Sequence, residues 1–219
     1  MVLNLWCLAF SLLNASSPLK PLKFMHITKT GGTAVEEFGR LHNLSWGRFH
    51  TMVDKRYGFW HDLPESKNQR HLRMFDWFTI VRNPYDRLVS EFYCPFGGRG
   101  RPEHPTRTEF NLYLRDRIQR FHRKRGGPTG HYVIQALYLH IMSPSTRLRL
   151  VFYERIHELT DLFAEYGISP FPTKHTTRRG ALGVQDMDAR TVNLVKEIYK
   201  ADFDAFGYSS RPELALLYK

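Results

Sequence analysis

Apolar residues gather in three short runs separated by longer stretches of mixed character. Leu22–Ile27 (LKFMHI), interrupted by Lys23 and His26, reads as a strand. Trp77–Val81 (WFTIV) is a continuous apolar run, the pattern of a parallel strand buried on both faces. Leu148–Tyr153 (LRLVFY) reads as a third strand. Helical spacing fills the intervals. It follows a glycine turn through about His42, then recurs over Pro84–Tyr93, Thr106–Phe121, His131–Ile141, Arg155–Tyr166 and Asp188–Phe203. Asn43–Leu72 is aromatic, histidine-rich and irregular, and Cys94–Pro105 has the Gly, Pro and Arg content of a loop. No internal repeat is visible. Strands alternating with helices predict an α/β fold with a parallel sheet, in one domain over 18–219.

The first residues stand apart. Val2–Leu13 is mostly apolar but shorter than the roughly 20 residues a spanning helix needs. It fits the apolar core of a signal peptide, with Ala15-Ser16-Ser17 offering small residues for cleavage. Against this, no basic segment precedes it and Pro18 follows the cut. Residues 1–17 therefore read as a signal peptide or truncated membrane anchor, with a helix or strand packed on the domain as the alternative. Asn14-Ala15-Ser16 and Asn43-Leu44-Ser45 are glycosylation sequons of the short kind that also arises by chance.

Composition narrows the class. Among 219 residues, 42% are hydrophobic and 14% aromatic, enough for a core and too many for a disordered chain. The two cysteines, Cys7 and Cys94, exclude a disulfide scaffold and a four-cysteine zinc site. The 32 Lys and Arg against 21 Asp and Glu leave a net charge of +11. That surplus calls for an anionic partner: nucleic acid, membrane surface, nucleotide or acidic polysaccharide.

Two strand–helix junctions give the charge a location. In FMHI-TKTGGT-AVEEF the first strand runs into Lys29-Thr30-Gly31-Gly32-Thr33 and a helix follows at once. Glycines let backbone amides converge on an anion, and the helix start adds amide donors and a positive dipole end. Thr33 with Glu36 fits a capping box. The lysine precedes the glycines, so this is not the Walker A order. In WFTIV-RNPYDRLVSEFY, Arg82 ends a buried strand, where open α/β sheets bind ligands. Asn83 is a good N-cap and Pro84 a good first helical residue; Asn83, Arg87 and Ser90 share one helix face. An arginine where a phosphotransferase places its metal-binding acid predicts anion binding without a metal.

Together the two segments resemble the sulfotransferase superfamily, which uses 3′-phosphoadenosine 5′-phosphosulfate. Thr28-Lys29-Thr30-Gly31-Gly32-Thr33-Ala34 is similar to the family's 5′-phosphosulfate loop, with Thr28 for proline and Ala34 for serine. VRNPYDRLVS is similar to its 3′-phosphate motif, an arginine at a strand end and a serine eight residues on. The carbohydrate branch, with the heparan sulfate 2-O and 6-O enzymes, is the nearest in pattern. The resemblance implies a P-loop-like three-layer fold with a central parallel sheet flanked by helices, and sulfuryl transfer to an acceptor hydroxyl on an acidic carbohydrate. It implies that Lys29 meets the bridging oxygen, that Thr30, Gly31, Gly32, Thr33 and Ala34 hold the 5′-phosphate, and that Arg82 and Ser90 hold the 3′-phosphate. It further implies a membrane-associated glycoprotein of the secretory pathway, in the Golgi lumen or membrane, though a cytoplasmic location is also open.

Attack by a hydroxyl requires a base, and histidine titrates near working pH. Of the 11 histidines, His26 lies within the first strand and reads as packing. His50 and His61 both lie between the two motifs, where this branch carries its catalytic histidine. Gly58-Phe59-Trp60-His61-Asp62-Leu63-Pro64 resembles the segment around it, which favours His61. Gly130-His131-Tyr132-Val133-Ile134-Gln135 resembles another element of the branch that lines the cleft, and Glu154 reads as structural. Arg178 and Arg179 match a late basic loop that closes over the 3′-phosphate. Arg115, Arg117, Arg120, Arg123, Lys124 and Arg125 read either as a solvated face or as a groove for an acidic polysaccharide. The competing functions are a basic nucleic-acid-binding module, a P-loop phosphotransferase and a sulfotransferase fold without activity. No nucleic-acid recognition motif accompanies the two strand-end sites.

Overall fold

The computed structural model describes residues 18–49, 61, 63, 69–96, 103–123, 130–140, 142, 145–172 and 180–218. The leader reading of 1–17, His50, Lys124, Arg125, Arg178 and Arg179 lie outside them. The chain divides into two compact units, 1–81 with 135–175 and 82–134 with 176–219.

The first unit is built on a parallel sheet. Strands β1 (Leu22–Met25), β2 (Asp76–Val81) and β3 (Leu148–Phe152) lie in the order β1-β2-β3. Leu22 pairs with Asp76, and Trp77 with Leu148. All six residues of β2 are buried, as its unbroken apolar pattern demands. Two polar groups inside the sheet are satisfied: Thr79 Oγ1 donates to the Met25 carbonyl at 2.9 Å, and Asp76 accepts three bonds. These come from the Lys20 amide at 3.0 Å, Arg147 Nη1 at 2.9 Å and the Tyr166 hydroxyl at 2.9 Å. Helices α1 (Gly32–Leu41), α2 (Gln69–Leu72), α5 (Ala136–His140) and α6 (Leu159–Glu165) belong to this unit. Its core joins Phe24, Phe78 and Ile80 of the sheet to Val35 and Phe38 of α1, Trp46, and Leu162 and Phe163 of α6. Trp46 seals one edge, its indole donating to the Leu22 carbonyl at 2.8 Å.

The second unit is helical: α3 (Pro84–Phe92), α4 (Arg107–Arg123), α7 (Ala189–Ile198) and α8 (Lys200–Phe206). Edge-to-face contacts hold it, Phe92 on Phe110 at 4.9 Å among them, and Tyr85 packs on Phe203 at 5.3 Å. Asn111 clamps α4 to the chain entering α7: its amide donates to the Asp186 carbonyl and its oxygen accepts from the Asp188 amide, both at 2.8 Å.

The α/β fold with a parallel sheet matches the sequence pattern. Three helices differ from it. The pattern over Asp188–Phe203 is two helices, broken at Tyr199, whose buried hydroxyl donates to the Tyr132 carbonyl at 3.0 Å. His131–Ile141 contracts to α5, because Tyr132 takes a left-handed φ of 65° that no helix continues through. Arg155–Tyr166 opens as a 3₁₀ segment, Tyr153–Glu158, kinked at Arg155, before α6 begins. No helix among the described residues is long and apolar enough to cross a membrane.

Candidate functional site

The loop after β1 is shaped by its backbone. Lys29 takes φ 63° and Gly31 φ 89°, two left-handed residues within three positions. The turn returns the chain into α1 immediately. Gly31 suits the αL conformation, whereas a lysine there costs about 1 kcal/mol. The Thr30 hydroxyl turns inward and donates to the Ile27 carbonyl at 2.8 Å, fixing the turn. Thr33 is exposed, Lys29 and Ala34 are half-buried, and the Ala34 amide donates to the Gly31 carbonyl at 3.1 Å. Both glycines are closely packed. A Cβ on Gly31 would lie 3.0 Å from the Tyr153 ring, and one on Gly32 only 2.3 Å from the His26 ring.

The capping box expected from Thr33 and Glu36 does not form. No side chain caps α1, and Glu36 turns away from the helix start into the interior, where it is fully buried. Its Oε1 faces His26 Nδ1 at 2.7 Å and accepts from the Arg48 amide at 3.0 Å; Arg48 Nε approaches Oε2 at 3.5 Å. A tertiary partner ten residues upstream thus outcompetes the local backbone. His26 is packed, as its place in β1's extension suggests: it is buried and stacks on Phe24 at 5.5 Å. It also meets the half-buried His61 edge-to-face, ring centroids 5.0 Å apart and planes at 89°. The His61 carbonyl accepts from the buried Tyr138 hydroxyl.

In the second unit, Asn83 caps α3 as expected, its side chain accepting from the Tyr85 amide at 3.0 Å, with Pro84 as first helical residue. Arg82 and Ser90 are both half-buried. Arg87, on the same helical face by spacing, is a structural arginine: it is buried and donates to the Val133 carbonyl at 2.7 Å and the Gly130 carbonyl at 3.2 Å. His131 Nδ1 pairs with buried Glu91 at 2.8 Å. Cys94 lies beside them, the three ligand atoms within 4.8 Å of one another. This trio has the donor types of a metal site, and within it His131 Nδ1 and Glu91 Oε2 lie at hydrogen-bonding distance. Gly180, the far end of the late basic loop, packs on the Tyr93 ring, and the Leu182 amide donates to the Tyr93 hydroxyl at 2.9 Å.

Two arginines of the basic helix α4 are paired with acids. Arg115 Nη1 donates to Asp188 at 2.7 Å and to Thr191 Oγ1 at 2.8 Å. Arg120 pairs with Asp116 at 2.6 Å, and Arg117 lies over the Tyr113 ring at 5.0 Å. Sequence reasoning missed Glu36, Tyr93 and Tyr138, whose partners are distant in the chain. Only the fit of Thr33-x-x-Glu36 drew attention to one of them, and for the wrong reason.

The model of a family described as the sulfotransferase family matches residues 17–131. No curated protein and no solved structure matches the chain.

Proposed function

The chain belongs to the sulfotransferase family, and from that premise we propose that it moves a sulfuryl group from 3′-phosphoadenosine 5′-phosphosulfate to a hydroxyl of an acidic carbohydrate. The observation that carries the reading is the Lys29–Gly31 turn: two left-handed residues run directly into α1, with a lysine on the turn and a glycine at the helix entry. Backbone amides of Gly31, Gly32 and Thr33 are the donors for a 5′-phosphate there. Arg82 and Ser90 take the 3′-phosphate, with Arg178 and Arg179 of the late loop as additional cations.

The chemistry assigns each group one task. His61 accepts the acceptor hydroxyl's proton as its oxygen attacks sulfur. The bond between sulfur and the bridging phosphate oxygen breaks, and the charge developing on that oxygen is stabilised by Lys29. No redox step is involved. The apolar run Val2–Leu13 supports a secretory-pathway setting with membrane association through that segment.

Titration calorimetry with 3′-phosphoadenosine 5′-phosphate in magnesium-free buffer tests the donor. Micromolar binding is the expected result, and absence of binding overturns the reading. His61→Ala should keep that affinity and lose transfer; full activity in this variant removes the base assignment. Labelled sulfate transfer over a polysaccharide panel identifies the acceptor, and labelling of protein or small alcohols alone would exclude a carbohydrate.

A further inference from the structure

Glu36 presents an energetic problem. A carboxylate with no exposed surface, on the helix that carries the phosphate loop, is costly unless fully compensated. Its compensation is specific: His26 Nδ1 at 2.7 Å and the Arg48 amide at 3.0 Å on one oxygen, Arg48 Nε at 3.5 Å from the other. Two glycines make room. A Cβ on Gly32 would collide with His26, and one on Gly47, at φ 52°, would lie 1.9 Å from Glu36 Oε1. Buried ionic pairs of this kind are seldom better for stability than apolar residues of the same volume. A phenylalanine at position 26 could stack on Phe24 as the imidazole does and would need no glutamate behind it.

The geometry around His26 supplies a use for the arrangement. Nδ1 is the ring atom that meets Glu36 Oε1, at 2.7 Å. That bond fixes the ring plane. Nε2 and Cδ2 lie beneath Gly32, at the entry to α1. The ring also meets His61 edge-to-face at 5.0 Å. His61 is thus held twice, through its backbone carbonyl by Tyr138 and through its ring by His26.

We infer that His26, locked by Glu36, is a positioning residue for the base: its ring sets the orientation of the His61 imidazole. The inference rests on the reading of His61 as base. In this role His26 acts through the His61 ring.

The decisive variant is His26→Asn, which keeps an amide donor near the Nδ1 position for Glu36 and removes the ring. Three quantities are read on the full chain: affinity for 3′-phosphoadenosine 5′-phosphate, thermal midpoint, and the kcat and donor KM for release of that nucleotide with pooled heparan and chondroitin chains as acceptor. The expected result is nucleotide affinity and donor KM within about 3-fold of the parent, with kcat lowered at least about 10-fold, the split that a base out of line produces. A folded His26→Asn protein with parental kcat overturns the inference. So does a loss confined to nucleotide affinity, which would make His26 a support for donor binding alone. Should His26→Asn fail to fold, Glu36→Gln carries the test, since it keeps shape and an acceptor but removes the charge that locks the ring. Here too, parental kcat overturns the inference. His61→Ala, run alongside, separates the two readings. An active His61→Ala removes the base and with it this role, whereas an inactive His61→Ala beside a fully active His26→Asn removes only the role of His26.

Discussion

Replacing Gly32 by alanine adds one carbon at the tightest point beneath the phosphate loop. The new Cβ would sit 2.3 Å from His26 Cδ2 and Nε2, and 2.7 Å from Cε1. Carbon contacts settle at about 3.5–4.0 Å, so the ring must retreat by more than about 1 Å. Such a shift opens the 2.7 Å approach to Glu36 beyond hydrogen-bonding range. A lost hydrogen bond to a charged group costs about 1.5–3 kcal/mol. Strained packing adds about 1–3 kcal/mol. Against this, alanine is preferred over glycine in a helix by up to about 1 kcal/mol, a gain reduced at the first helical position. The net is about 2–5 kcal/mol, or a fall of roughly 5–20 °C in Tm for a chain of this size. Thermal unfolding followed by circular dichroism measures it. Gly167→Ala is the control: its φ is 66° but no atom lies within 4 Å of the added carbon, so it should cost only the backbone strain of about 1 kcal/mol. A Gly32→Ala protein melting within about 2 °C of the parent would refute the account of His26 wedged between Gly32 and Glu36.

Asp76→Ala removes the acceptor shared by Lys20, Arg147 and Tyr166 at the head of β2. Leaving Arg147 without it should cost about 3–5 kcal/mol in denaturant unfolding, and a cost under about 1 kcal/mol would contradict this role. Burial lowers the pKa of His122 below its ordinary value, only partly opposed by a hydrogen bond to the Tyr132 backbone. The fold therefore favours the neutral ring, and the stability this brings is full above about pH 6.5 and is lost as pH falls through the depressed value. His122→Phe should flatten the decline in unfolding free energy between about pH 7 and 5; an unchanged slope would sink the assignment. Arg82→Ala should weaken 3′-phosphoadenosine 5′-phosphate about 10- to 100-fold by calorimetry, the worth of a charge-assisted bond, while leaving polysaccharide affinity alone. Equal losses for both ligands would contradict a 3′-phosphate role.

The strands were legible because a parallel strand covered on both faces needs an unbroken apolar run, and WFTIV has one. The Asn83–Pro84 start of α3 was legible because its chemistry is local, a side chain bonding an amide two residues on. What escaped the sequence was decided by groups far along the chain. Thr33-x-x-Glu36 reads as a capping box until His26 and Arg48 claim the carboxylate. Arg87 shares a helix face with Asn83 and Ser90 by spacing, but two carbonyls, 43 and 46 residues away, take its guanidinium. Arg115 reads as surplus charge until Asp188, 73 residues later, neutralises it. The break at Tyr199 is invisible to periodicity, since the apolar spacing of α7 runs on into α8. His61 could be favoured over His50 by its neighbours, but its contact with His26 required the fold.

The order of the sheet also sets a timetable for the nascent chain. β2 is the central strand, and its second neighbour, β3, begins roughly 70 residues after it. At ribosomal rates of about 5–20 residues per second, WFTIV waits roughly 4–14 s for that edge to be covered. During the wait it is an apolar, β-prone window with a bare flank, the composition that seeds aggregation. The residue immediately before it is Asp76. In the finished protein that carboxylate anchors Arg147 and Tyr166. On the ribosome, before either anchor has been synthesised, the same negative charge discourages a second copy of the strand from pairing there.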